Sequence, residues 1–173
     1  INAKHKLRSG IIVSAERYRL SNAAWDHELG HMVTELDATG QATTFQAFTS
    51  WKWFWSERWS MTSGVHLLHY TLNGATAVEP RAAVRYQQRP DQAFTLGLGL
   101  HSRTEAIMTY EVETLDAQGN TYRSNRNLGL TRAAHAVLGY ERKLAEDIQL
   151  KAEAYFQQQY GTPVENDPNS SFS

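Results

Sequence analysis

His27-Glu28-Leu29-Gly30-His31 is the stretch whose residue types and spacing could do chemistry. On a helix, histidines at i and i+4 share a face and can hold zinc, with the glutamate beside them as general base. A catalytic zinc also needs a third protein ligand. Met32-Val33-Thr34-Glu35 follows with no further histidine, and Glu35 or Asp37 would reach the ion only in an unusual geometry. The flanks, Trp25-Asp26 and Glu35-Leu36-Asp37, are polar rather than the apolar helix that buries such a site. The expectation is therefore a solvated loop between strands, with no metal held by His27 and His31. A zinc hydrolase built on His27, Glu28 and His31 is kept as an alternative. No nucleophile–base pair, glycine-rich phosphate loop or paired carboxylates stand out, so neither enzymatic activity nor a cofactor is expected.

Other polar residues fall into a pattern. His66, His101 and His135 lie on the polar faces of expected strands, where bonding to neighbours or water is the ordinary role of a histidine. Arg81, Arg85, Glu141, Lys151 and Glu153 can form an ion-pair ladder across adjacent strands. Asn125, Arg126 and Asn127 read as loop. Arg81, His101, Arg103 and Tyr110 are the candidate contacts for a small ligand.

The elements that position these residues are strands. In residues 43–70, Phe45, Ala47, Thr49, Trp51, Trp53 and Trp55 alternate with Thr44, Gln46, Phe48, Ser50, Lys52 and Phe54. Ser56, Glu57 and Arg58 turn the chain, and Trp59, Met61, Ser63, Val65 and Leu67 resume the apolar set. Period two over this length predicts a long hairpin. Four of the five tryptophans crowd its turn on one face. A tryptophan has an apolar body and a polar tip, so Trp51, Trp53, Trp55 and Trp59 predict a membrane-interface belt. The alternative is the core of a soluble antiparallel β-barrel that binds a ligand.

Further alternation predicts strands near residues 6–18, 43–55, 59–70, 78–87, 93–101, 133–143 and 148–160. Residues 19–41 and 102–132 read as long loops, with a short helix possible near residues 105–110. The turns at residues 56–58, 88–92 and 144–147 are short, while the loops at the other end are long, apart from the Asn73-Gly74 connection. Short turns at one end and long loops at the other is the layout of an outer-membrane barrel. The fold class expected is all-β: an antiparallel up-and-down meander of about seven strands, part of a larger transmembrane β-barrel.

Composition excludes other classes. The net charge is −1, which gives no electrostatic footprint for nucleic acid. There is no cysteine, hence no disulfide framework. No run of about 18 apolar residues exists, which argues against a membrane-spanning helix. INAKHKLRSG has no apolar core and is not a signal peptide.

EPRAAVRY, then LGLGLHSR, then NLGLTRAAHAVLGYER, then LKAEAYFQQQYGTPVE resembles the later barrel strands of TonB-dependent outer-membrane receptors, particularly of the Bacteroidetes type. The matching positions are Pro80-Arg81, Gly97 to Arg103, Leu138 to Tyr140 and Pro163 to Glu165, and the resemblance covers roughly residues 43–165. It implies the barrel portion of an active transporter in the bacterial outer membrane. Its partners would be outer-membrane lipid, an unidentified small ligand, and an energy-coupling TonB-type protein acting through a plug. The family's barrel has about 22 strands, so the chain is expected to be a segment, with the plug domain absent.

Overall fold

The computed structural model describes residues 4–27, 30–115 and 118–164. Strands β1 (His5–Asp26), β2 (His31–Phe54), β3 (Trp59–Tyr70), β4 (Thr76–Arg89) and β5 (Gln92–Arg103) come first. A helical turn α1 (Ile107–Tyr110) and a small hairpin, β6 (Thr114–Leu115) and β7 (Thr121–Tyr122), follow. Strands β8 (Thr131–Lys143) and β9 (Gln149–Tyr160) close the chain. The main sheet has the order β1-β2-β3-β4-β5-β8-β9, and every neighbouring pair is antiparallel. The protein is therefore an all-β up-and-down meander.

Register sorts the residues by face. Ala82, Leu98 and Ala136 are aligned across β4, β5 and β8, as are Val84, Leu96 and Leu138. Trp51, Trp53 and Trp59 align with Ser63, Met61 and Tyr86 on this same apolar face. The opposite face aligns His66 with Glu79, Arg81 with Gly99, and Gly99 with His135. A one-residue slip would exchange these faces wholesale, so the alternation itself fixes the register.

The turns have local causes. The Ser56 hydroxyl accepts the N–H groups of Arg58 and Trp59 at 3.3 and 3.0 Å. Asn73 Oδ1 accepts the Ala75 N–H at 3.0 Å, and Gly74 takes the left-handed conformation with φ 73°. Pro80 lacks an N–H, and the β4–β5 ladder starts one residue later, at Arg81↔Gly99.

The largest departure from expectation is residues 19–41. Residues 19–26 and 31–41 are not loop but the far ends of β1 and β2, which extend as a two-stranded ribbon beyond the β2–β3 ladder. That ladder ends at Thr44↔Tyr70, so residues 31–42 pair only with β1. Gly40, which reads as a breaker, is a strand residue here. A Cβ at position 40 would collide with the Tyr18 ring and hydroxyl, so glycine lets that ring lie flat across the strand.

The interior sits on the polar face, at the long-loop end. Ala42, Leu68, Tyr70, Leu72, Ala77, Tyr110 and Leu130 form one buried cluster. The β5–β8 connection thus folds over the sheet and supplies Tyr110 and Leu130. The opposite, apolar face has no such cover among the described residues: Ile11, Leu96, Leu98, Leu138 and Phe156 are all exposed.

Candidate functional site

The polar face carries a network centred on Glu79, which is 1% exposed. Its Oε2 accepts from Arg81 Nη2 at 2.7 Å and contacts His66 Nδ1 at 2.9 Å. Its Oε1 accepts from the Ser102 backbone N–H at 2.8 Å and the Ser102 hydroxyl at 2.9 Å. His66 Nε2 in turn meets Gln46 Oε1 at 3.0 Å. A buried carboxylate is tolerated only when its charge is answered by donors, and here both oxygens are fully engaged. The network pins β2, β3, β4 and β5 to one another and holds the Arg81 stem in place.

Beside it lies an open hollow of about 500 Å³, lined by Phe48, Gly64, Gly97, Gly99, His101 and His135 among others. Glycine at 99 keeps this wall low: a Cβ there would press on Arg81 Cγ at 3.2 Å and come into ordinary contact with His101 Nε2 at 3.5 Å. Arg81 and His101 are therefore brought together. Arg103 is not; it sits at the rim, with Nε 4.0 Å from Glu105. Tyr110 is also apart, buried to 0% exposure as a packing residue. Its ring lies 5.6 Å from that of Tyr70, and its hydroxyl accepts the Glu105 N–H at 3.0 Å.

The expected ion-pair ladder is present in part. Arg85 meets Glu141 at 2.8 Å, and Lys151 meets Glu141 and Glu153 at 3.8 and 3.4 Å. Arg81 leaves this ladder for Glu79. Sequence reasoning missed Glu79, although a signal existed: it stands two residues before Arg81 and so shares its face.

A second cluster locks the β5–β8 connection. Glu111, 1% exposed, accepts a 2.6 Å hydrogen bond from the Tyr18 hydroxyl of β1 and one from Arg126. Arg123 Nε lies 3.0 Å from the other carboxylate oxygen. Burial works against the Arg126 cation, but the Tyr18 oxygen and the Glu111 carboxylate outweigh it and hold its pKa above the ordinary arginine value. Glu111→Ala would remove the carboxylate shared by Arg126 and Arg123, although both guanidinium groups keep access to water and Arg123 keeps Glu113 at 3.7 Å. The expected cost is about 1.5–3 kcal/mol, read as faster amide exchange and proteolysis within residues 104–130. Tyr18→Phe removes one charge-assisted bond and is expected to cost about 1.5–3 kcal/mol.

His27 and His31 do not share a helical face. Asp26 ends β1 and His31 begins β2, so the two histidines bracket the tip of the ribbon, and both are exposed. Glu28 lies outside the described residues, as does Glu165. Among the described residues, no group of three or more His, Cys, Asp or Glu is placed to hold a metal ion.

The tryptophans form a continuous array at the short-turn end. His5, Trp51, Trp53, Trp55, Trp59 and Tyr86 follow one another with ring centroids 4.5–5.8 Å apart. Trp51 Nε1 donates to His5 Nδ1 at 3.2 Å. Phe94 and Tyr140 continue the aromatic row across β5 and β8, 5.2 Å apart.

An antiparallel meander with one uncovered apolar face, one polar face and two open edges is a wall of an up-and-down barrel. Among solved structures, the copper transporter OprC is similar, with a TM-score of 0.61 and 14% sequence identity. The match covers 90% of this chain and 28% of that one, and at this identity it shows a shared fold alone, an antiparallel β-barrel wall. No family model matches the chain, and no curated protein does. No helix among the described residues is long and apolar enough to cross a membrane.

Proposed function

We propose that this chain is part of the barrel wall of a TonB-dependent active transporter in the bacterial outer membrane, importing a small ligand. The observation that carries the reading is the two-sided sheet. Its apolar face is uncovered across the middle of the sheet, while the buried Glu79 network, the Arg85–Glu141–Lys151 ladder, His101, His135 and the folded-in loop sit on the other face. Lipid would cover the first, and the aromatic array would mark one membrane–water boundary. The ligand would meet the polar face at the hollow, through Arg81 and His101, with Arg103 at the rim and Tyr110 holding the loop behind them. Energy would reach the ligand through a plug and a TonB-type protein, supplied by the rest of the receptor. The role is transport rather than catalysis, with no cofactor.

Depth-dependent fluorescence quenching tests the orientation. With the chain folded into phosphatidylcholine vesicles, Trp51, Trp53, Trp55 and Trp59 are expected to be quenched most by labels near the headgroups and least by labels at the bilayer centre. Quenching by a water-soluble agent alone would remove the membrane reading.

A further inference from the structure

We propose that His101 and His135 form a two-imidazole site for a divalent transition-metal ion on the wall of the hollow. This deepens the transporter reading, on which it rests only in taking the polar face as the one a cargo meets. The two residues stand on adjacent strands and on the same face. In register Gly99 faces His135 and Ala133 faces His101, so the histidines are diagonal neighbours with no bulky side chain between them. Their ring centroids are 4.5 Å apart, with an interplanar angle of 64°. Neither ring has a hydrogen-bond partner among the described residues, in contrast to His66, whose two nitrogens are both engaged.

The separation matches the chemistry. An ion held about 2.0–2.1 Å from one nitrogen of each ring lies roughly 3 Å from each centroid, which places two cis imidazoles roughly 4.5–5 Å apart. Imidazole χ2 wells are broad, so a modest rotation turns one nitrogen of each ring to a common point. Imidazole suits zinc, copper and nickel rather than calcium or magnesium. Arg81 is nearby, but its charge is answered by Glu79 at 2.7 Å. Glu79 cannot add a third bond to the metal, because both its oxygens already accept two partners each. The site therefore leaves coordination positions open, for water or for donor atoms that arrive with the ion. That is the arrangement of a transient stop rather than a permanent structural metal centre.

The test uses the whole chain folded in detergent micelles, with His27→Ala and His31→Ala introduced to silence the ribbon tip. Cu²⁺ is the probe, because its electron paramagnetic resonance spectrum counts bound nitrogens. One ion per chain, with two imidazole nitrogens, is expected. His101→Ala or His135→Ala should each reduce this to the weak, single-nitrogen binding of a lone imidazole, with circular dichroism unchanged. Should an alanine variant lose its β-sheet spectrum, His101→Gln and His135→Gln make the same comparison. A two-nitrogen signal that survives either change, or no bound copper in the background chain, would leave the pair as an edge-to-face packing contact and overturn the site. The titration measures binding alone, so it can fail while vesicle quenching succeeds, and the reverse.

Discussion

In detergent-free buffer the isolated chain is expected to sediment as aggregates or edge-paired oligomers, and to become monodisperse only in micelles. Two features drive this. The outer strands are open edges: β1 runs for 22 residues, and every residue of β9 is exposed. Such edges pair with any available strand, and neither carries the proline that commonly blunts an edge. The second feature is the apolar face, where Ile11, Leu96, Leu98, Leu138 and Phe156 are 52–78% exposed. A soluble monomer usually tolerates a contiguous apolar patch of about 300–600 Å², and this face runs across the whole sheet. Sedimentation velocity with and without detergent, paired with circular dichroism, reads the outcome. A monodisperse monomer that unfolds cooperatively in plain buffer would sink the barrel-wall reading and promote the soluble ligand-binding protein.

Leu98→Arg is expected to destabilise the vesicle-inserted chain by about 2–4 kcal/mol, against about 0–1 kcal/mol for Val78→Arg. The two residues share the apolar face and are almost equally exposed, at 58% and 60%. An argument from exposure alone gives them equal costs. Leu98 lies midway along β5, however, while Val78 lies near the long-loop end of β4. In a bilayer the first meets hydrocarbon and the second meets headgroups, so depth separates them. Thr95→Lys, on the polar face between Arg85 and Gly139, should cost little, since a water-filled interior solvates the charge. Urea titrations of the three variants in vesicles measure the differences. Equal costs for Leu98→Arg and Val78→Arg would contradict a membrane around this sheet.

The parts of this architecture visible in the sequence are those where one face is apolar and the other is not. Leu96, Leu98 and Leu100 against Gly97, Gly99 and His101 declare β5 and its faces without further help. Residues 17–26 and 31–41 lack that contrast: Arg17, Arg19 and Ser21 alternate with Tyr18, Leu20 and Asn22, and neither set signals burial. Their strand state comes from pairing with each other, which periodicity does not report. The Glu111 cluster was hidden for a different reason. Tyr18 and Glu111 are 93 residues apart, and only the loop's passage across the sheet brings them together. Arg81 and His101 could be placed on one face from parity alone, but Glu79, which holds Arg81, required looking one step further along the same strand.

The ribbon also bears on the order of events during assembly. Most strand pairings in the wall join neighbours across a connection, but the β1–β2 ladder is the longest, and only four residues separate its strands. Closing so short a loop costs little chain entropy, and hairpins form in about 1–10 μs. The ladder can therefore zip from its tip, just as the two-residue connection between β4 and β5 lets those strands pair locally. It then offers β3 a template whose register is already chosen. The β8–β9 hairpin can also form locally, but its docking on β5 must wait for the 104–130 segment to find its place, which makes that junction the slow step.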